Sequence, residues 1–300
     1  FGSQARRGLL SLFGSMMTAI TVTLLGTGSP LPDPTRAGPS TLVKAGNTYL
    51  LVDCGRGVAM RLVGVGVPIP FIGTVLITHL HSDHITDLND IMTTRWIMSP
   101  VATALNVYGP PGTQHVVDSL LEMLQLDRHY RTEHHKDLRD GPGLQVQVTE
   151  VVPGDSFDVD GVLISVHKTD HRPVAPTVGY RIEHGGSSVA IAGDTVPCAE
   201  LDVMCRNVDI YVQTVIRPEL VAQIATMFPA IGGRFSDILD YHSTVEQAAQ
   251  TATRAGVKKL VMTHYVPAMQ PGSEHEWIAI AAAHFDGEIV AGPDLTVINC

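Results

Sequence analysis

Cysteine is scarce in this chain, and its positions exclude two kinds of site. Cys54, Cys198, Cys205 and Cys300 form no CxxC pair and lie in or beside apolar runs. A zinc knuckle needs paired thiolates, and a disulfide framework needs regularly spaced cysteines in a short secreted chain. The sequence therefore predicts neither, and it favours a reducing cytoplasm.

Long apolar runs and an excess of basic charge are also missing. No window approaches the ~18 uninterrupted apolar residues of a membrane span, although 44% of the residues are hydrophobic and can form a sizeable core. The net charge of −10 argues against a large surface that binds nucleic acid without sequence preference, because phosphate contacts need clustered Lys and Arg. We expect a globular enzyme without membrane contact, with room for local basic patches only.

The first residues superficially suggest a signal peptide, since Arg6 and Arg7 precede a short apolar patch. The patch is too short, however, and no small-residue cleavage site follows it. We therefore expect residues 1–16 to be a vector-derived remnant or a disordered N-terminus, with the natural start near Met16 or Met17.

The remaining residues, 17–300, contain two successive blocks of strands followed by strand–helix units, with no Pro/Ser-rich linker between them. Alternating apolar positions and Gly/Pro punctuation indicate the strands, and helical periodicity indicates a helix from about residue 83 to 96. The His-rich segment 127–143 is predicted to be an exposed loop. The pattern favours one domain of two similar β/βα halves, with paired sheets inside and helices outside.

Three strong strand signals end in side chains that bind metals. "TVLITH" ends in His79, "SVAIAGD" in Asp194 and "KLVMTH" in His264. Sites in α/β sheets gather at the carboxyl ends of strands, where the loops diverge. Imidazole and carboxylate suit zinc, and also iron or manganese, so the sequence predicts a metal site at this edge.

The first of these signals continues into the motif HxHxDH. His79 and His81 alternate along an extended turn and can point to one side, whereas Asp83 and His84 begin a helix and can face a second point. One motif could thus serve two ions.

At these motifs the chain resembles the metallo-β-lactamase superfamily, and within it the tRNase Z-like branch. Besides "THLHSDH", the segments that carry the likeness are "LLGTGSPLPDPTRAGPS", "LVDCGRG", "VYGPPG", "HRPVAPTVGYRIE", "AGDT", "YHST" and "MTHY", in the family's order. The resemblance covers nearly all of residues 18–290. It implies an α/β fold, a four-layer αββα sandwich of two similar β/βα halves, with a dinuclear zinc site at one edge of the sheets.

The resemblance also implies the role of each site residue. One ion would be held by His79, His81 and His171, the other by Asp83, His84 and His264, and Asp194 would bridge them. His171 is preferred to His167 because it precedes "GYRIE" at about the family's distance. His242, in the "HST" position, resembles the proton donor in phosphodiester cleavage, although it could also be a structural residue beside a helix cap at Ser243.

Two such cations would lower the pKa of a bridging water, which then supplies a nucleophilic hydroxide, and they would also bind a tetrahedral anion. Asp83 would be both a metal ligand and the group that orients this water or accepts its proton. Ligand imidazoles commonly donate their second N–H to a neighbouring group, and Thr78, Asp53 and Thr195 are candidates for that contact.

The chain departs from the family's pattern in three places. The long tRNA-gripping arm is absent between the third-histidine region and the bridging aspartate, where the chain has only "GYRIEHGGSSVAIAGD". Gln213 occupies the position of the glutamate that supports the proton donor, and Arg56 replaces a second glutamate. Asp237 or Asp240, just before His242, could substitute for the missing acid.

The resemblance implies a dinuclear-zinc hydrolase of phosphodiester bonds, either a ribonuclease Z-like endonuclease acting at the 3′ end of precursor tRNA or an enzyme for smaller phosphodiesters. Arylsulfatase-like and lactonase-like hydrolysis of small esters are alternatives. A non-catalytic scaffold is disfavoured because every ligand position is filled. Relatives are commonly homodimers, so the resemblance also implies a homodimer.

Overall fold

The computed structural model describes residues 20–101 and 103–300. The expected N-terminal remnant and the natural start near Met16 or Met17 lie outside these residues. Within them, the strands form two seven-stranded mixed sheets.

The first sheet contains the strands of the first half of the chain and the last strand. Its order is β14-β1-β2-β3-β4-β5-β6. The strands are β1 (Ile20–Gly26), β2 (Ser40–Ala45), β3 (Thr48–Val52), β4 (Thr74–Leu76), β5 (Leu105–Gly109), β6 (Val146–Glu150) and β14 (Thr296–Asn299). Strands β3 to β6 are parallel to one another, so their carboxyl ends share one edge.

The second sheet has the order β13-β12-β11-β10-β9-β8-β7. Its strands are β7 (Ser156–Val159), β8 (Val162–Lys168), β9 (Val178–His184), β10 (Ser187–Ile191), β11 (Ile210–Ile216), β12 (Lys259–Val266) and β13 (Glu288–Ala291). Strands β10 to β13 are parallel. Both faces of β11 are covered, and all seven of its residues are buried, including the polar Gln213 and Thr214.

Helices cover the outer faces of both sheets, and they lie between the strands in sequence. Their bounds are α1 (Val58–Gly64), α2 (Ser82–Ile85), α3 (Leu88–Met98), α4 (Thr113–Met123), α5 (Gln125–His134), α6 (Lys136–Asp140), α7 (Ala199–Met204), α8 (Pro218–Met227), α9 (Gly232–Asp237), α10 (Val245–Ala255) and α11 (Glu274–Ala282). None of the described helices combines the length and the hydropathy of a membrane span.

The hydrophobic core has three main parts, which define the layers. Between the sheets, strand residues such as Val22 and Leu50 of the first sheet pack with Ile164, Tyr180 and Val212 of the second. Separate clusters lie between each sheet and its outer helices. The predicted four-layer αββα arrangement is therefore confirmed.

Two local predictions are wrong. The helix predicted over 83–96 is interrupted between α2 and α3, where the Asp87 side chain instead accepts a hydrogen bond from the Gly57 N–H at 2.7 Å. The segment 127–143 is exposed as predicted but largely helical, in α5 and α6. Its polarity suggested a loop, yet Arg, Lys, Glu and Leu are good helix formers, and Arg131 donates to Asp127 one turn earlier at 2.8 Å.

Candidate metal centre

The predicted ligand-bearing strand ends meet at one edge of the sandwich. His79 follows β4 and Asp194 follows β10, whereas His264 lies inside β12 with a positive φ of 47°. Gly193 lets the two sheets approach here. It also has a positive φ, of 65°, and a side chain at this position would come within 2.8 Å of the Thr78 side chain. A residue with a Cβ would force Asp194 away from the end of β4.

The first group of ligand atoms consists of His79, His81, His171 and Asp194. The imidazole nitrogens His79 Nε2 and His171 Nε2 lie 3.1 Å and 3.3 Å from His81 Nδ1. Each of the two Nε2 atoms also lies 3.8 Å from Asp194 Oδ2. Three imidazoles and one carboxylate therefore converge on one point, as a four-coordinate cation requires.

The second group consists of Asp83, His84 and His264. Asp83 Oδ2 lies 3.7 Å from His84 Nε2 and 3.3 Å from His264 Nε2. The same two Nε2 atoms lie 3.5 Å from Asp194 Oδ2. Asp194 therefore stands between the two groups. The structure thus brings together all seven residues that the sequence suggested as ligands.

The donor set fits divalent metal ions. Among the residues the structure describes, His84 Nε2 and Asp194 Oδ1 are buried and lack a hydrogen-bond partner. A buried polar atom without a partner is costly unless another group, such as a cation, satisfies it. The mixture of imidazole and carboxylate is one that zinc, iron and manganese accept.

Hydrogen bonds from outside the two groups orient the ligand rings. Asp53 Oδ2 accepts from His84 Nδ1 at 2.8 Å and from the Thr78 hydroxyl at 2.9 Å. The Thr78 hydroxyl also lies 3.1 Å from His79 Nδ1. Two of the three suggested partners thus contact ligand rings. Thr195 does not, since its hydroxyl accepts from the Asp170 N–H and donates to the Val196 carbonyl.

The sequence did not predict one further contact that orients a ligand ring, that of His171. The Tyr241 backbone carbonyl accepts a hydrogen bond from His171 Nδ1 at 2.8 Å. Every residue has such a carbonyl, so no sequence signal could identify this one. The Tyr241 ring also packs edge-on against His171, at 4.8 Å between ring centroids.

The ligand imidazoles differ in the direction in which the site shifts their pKa values. Burial lowers the pKa of His79 well below its usual value and that of His171 to about 4, so both rings are neutral and ready to bind a cation at pH 7. Burial also opposes protonation of His84 and His264, but the nearby carboxylates, Asp194 first, raise their pKa values. The pKa of the Asp194 carboxyl is held well below its usual range, because His264 and His84 outweigh its burial.

Comparison with known proteins gives the family of the chain. Residues 48–265 match the family model described as a β-lactamase superfamily domain. The chain is 53% identical over 278 residues to ribonuclease Z of Mycobacterium avium (strain 104), covering 92% of this chain and 96% of that protein. The chain belongs to the ribonuclease Z family. It is also 50% identical to ribonuclease Z of Mycobacterium tuberculosis (strain H37Rv), with the same coverage of both chains.

Solved structures support the same fold. The short form of human tRNase Z is 23% identical and superimposes with a TM-score of 0.67, covering 93% of this chain and 98% of that one. The metallo-β-lactamase fold protein YhfI of Bacillus subtilis is 21% identical with a TM-score of 0.70, covering 94% and 100%.

In this member of the ribonuclease Z family, His242 lies beside the ligands. Its Nε2 is 3.3 Å from Asp194 Oδ2, and its Nδ1–H donates to the Ile238 carbonyl at 2.9 Å. The suggestion that Asp237 or Asp240 supports this ring is wrong, because both ring nitrogens have other partners. The suggested helix cap at Ser243 is also wrong. The cap is Thr244, and Ser243 donates to the Thr195 carbonyl instead.

The two replaced glutamate positions serve the fold locally. Gln213 is fully buried, accepts a hydrogen bond from the Tyr211 hydroxyl at 2.5 Å and donates to the Thr214 carbonyl at 2.8 Å. Arg56 donates to the Pro30 carbonyl at 3.3 Å. Both side chains are thus engaged with neighbouring strand and loop atoms.

Proposed function

We propose that this chain is a metal-dependent endonuclease that removes the 3′ trailer from precursor tRNA. The observation that carries the proposal is the position of Asp194, whose carboxylate faces both groups of ligand atoms at 3.5 to 3.8 Å. A carboxylate shared between two imidazole-rich groups suits a two-metal hydrolase. Membership of the ribonuclease Z family supports precursor tRNA as the substrate.

We assign the metal ligands as the sequence suggested. One zinc ion would be held by His79, His81 and His171 and the other by Asp83, His84 and His264, with Asp194 shared; Mn²⁺ or Fe²⁺ would also suit these donors. When bound, the two ions supply Lewis acidity that lowers the pKa of water and offsets charge on the phosphate.

The residues around the ions supply proton transfer. Asp83 offers a carboxylate that orients the attacking water or accepts its proton. His242 would donate the proton of Nε2–H to the leaving oxygen as the P–O bond breaks. Its Nδ1–H already donates to the Ile238 carbonyl, and this contact fixes the ring so that Nε2 faces the ligands.

The connection between β9 and β10 bears on the size of the substrate. The chain passes from one strand to the other through Gly185 and Gly186 alone, a tight hairpin turn. The tRNA-gripping arm of the family pattern is thus absent from this place. A compact site of this kind favours additional hydrolysis of small phosphodiesters.

A parallel activity screen tests the proposal. The zinc-loaded protein is assayed on precursor tRNA with a 3′ trailer, bis(p-nitrophenyl) phosphate, an aryl sulfate and a lactone, each with and without a chelator. We expect chelator-sensitive cleavage of the two phosphodiesters. Hydrolysis of the sulfate or the lactone alone would reject the phosphodiesterase and support an arylsulfatase-like or lactonase-like enzyme.

We also propose that the chain forms a homodimer through a surface of the first half, the α1–α3 face, defined by Val63, Phe71 and Met98. These side chains are exposed by 65%, 62% and 62%. Val63 and Met98 line a cavity of about 350 Å³, and Phe71 directly follows its lining residue Pro70. Contiguous exposed apolar side chains often mark an interface between proteins. A second copy of the chain is the occupant that the family resemblance supports.

We further propose that residues 17–300 form one domain and that the protein is cytoplasmic. The shared core between the two sheets supports the first proposal. All four cysteines are free thiols in the structure, and this supports a reducing compartment.

A further inference from the structure

A second cavity lies beside the metal centre, and none of the seven ligands lines it. It has a volume of about 280 Å³, near the lower end of small-molecule sites. Its walls come from the loop at residues 29–31, from α8 and α9, and from the residues after His264. The lining residues that matter here are Leu31, Ile224, Ile231, Phe235, Ile238 and Val266.

One covalent connection and two hydrogen bonds fix this cavity next to the reacting groups. Val266 follows the ligand His264 by two residues on β12. Ile238, on another wall, accepts the hydrogen bond from His242 Nδ1. The loop that carries Leu31 is tied to the same strand, because the Thr27 carbonyl accepts from the Tyr265 N–H at 3.1 Å.

The walls are apolar, with one aromatic ring and one cation. Phe235 is half-buried and packs with Ile216, Val221 and Val266. Leu31 and Ile231 remain exposed, by 54% and 40%. Arg234, which is exposed, also lines the cavity. An apolar slot with an aromatic wall and an adjacent guanidinium fits a flat heterocycle that is attached to a phosphate.

We propose that this cavity binds the nucleobase of the nucleoside that leaves as an alcohol, with Phe235 as its stacking surface. This inference rests on the proposed function, and it follows from the position of His242. In the cleavage step, the oxygen of water bonds to phosphorus and the P–O bond to the leaving ribose breaks. The electron pair stays on the ribose oxygen, which takes the proton from His242. The leaving nucleoside must therefore lie on the side of His242, and the segment that anchors this ring forms the cavity wall.

Abasic substrates test this assignment. Two precursor tRNAs are prepared, one with an abasic ribose on the 5′ side of the scissile phosphate and the other with an abasic ribose on its 3′ side. Product analysis identifies which nucleoside leaves with a free hydroxyl. An abasic ribose on the leaving side should lower kcat/KM by about 5- to 150-fold, the usual worth of one stacked base. An abasic ribose on the other side should leave kcat/KM unchanged.

The variant Phe235→Ala should lower kcat/KM for the intact substrate by a similar factor but cause no further loss with the leaving-side abasic substrate, since the two changes remove the same contact. Phe228→Ala is the matched control, because this phenylalanine is 54% exposed and lies outside the cavity lining. Leu31→Ala, on the exposed loop, repeats the test with a smaller expected loss if Phe235→Ala does not fold.

The outcomes separate this inference from the proposed function. Additive losses from the variant and the missing base, or equal sensitivity to both abasic positions, would overturn the subsite while the nuclease assignment stands. Failure of the zinc-loaded wild-type protein to cleave the intact precursor would overturn both.

Discussion

At the scale of single residues, Asp194 is the side chain on which both ligand groups depend. It is 3% exposed, and one of its oxygens lies within 3.8 Å of nitrogens from five histidines. His171, by contrast, belongs to the first group only. The two residues should therefore differ in what their removal does.

Replacement of Asp194 by Asn should lower the metal content from about two ions per chain to less than one, because both sites lose a charged ligand. His171→Ala should retain about one ion, since the second group is intact. Elemental analysis of zinc-reconstituted protein measures both, with the exposed Asp237→Asn as the control. Equal metal loss in the two variants would contradict a shared Asp194.

His242 lies outside the two ligand groups as we assign them, and we expect it to transfer a proton. His242→Ala should slow cleavage of precursor tRNA by ~10² to 10⁴, the usual worth of a positioned general acid. Cleavage of bis(p-nitrophenyl) phosphate should scarcely change, because nitrophenolate leaves without a proton. Steady-state rates on both substrates decide the matter, with the exposed His115→Ala as control; equal losses on both would refute the donor role.

At the scale of elements, α10 fixes the chain immediately after His242. It begins with a capping box, in which the Thr244 side chain accepts from the Gln247 N–H at 3.2 Å and the Gln247 side chain accepts from the Thr244 N–H at 3.0 Å. It ends at Gly256, whose φ is 67°. Both signals are typical of helix ends.

Thr244→Ala should lower the free energy of unfolding by about 0.5–2 kcal/mol, because it removes one partner of the capping box. Urea denaturation of the metal-loaded protein measures this loss, and Thr244→Ser, which keeps the hydroxyl, should recover most of it. Unchanged stability in the alanine variant would show that the capping box contributes nothing here.

The strand ends that carry ligands could be predicted from the sequence, because apolar runs near His79, Asp194 and His264 stop at residues that a core cannot bury without a partner. The helices at 127–143 could not, since neither buries a residue and a long apolar pattern at helical spacing is missing. The contact of the Tyr241 carbonyl and the cavity around Phe235 could not be predicted from the sequence either. Both are built from backbone or apolar atoms of segments distant in sequence.

At the scale of the whole molecule, the two sheets share a core while the α1–α3 face stays exposed. Phe71→Asp should therefore shift the protein from dimer to monomer, because a buried unpaired carboxylate opposes association. Sedimentation velocity at several concentrations measures this shift, and Met123→Asp, on α4 and 60% exposed, serves as the control. A wild-type monomer, or a dimer that the substitution leaves intact, would contradict the proposed face.

The measurement that tests the central claim most directly is a metal titration of activity. Metal-free protein receives increasing equivalents of zinc, and 3′-trailer removal from precursor tRNA is followed alongside bound metal. We expect no cleavage without metal and a maximal cleavage rate at about two bound ions per chain, as a site with a shared carboxylate requires. Trailer removal by the metal-free protein, or none at full metal occupancy, would contradict the account.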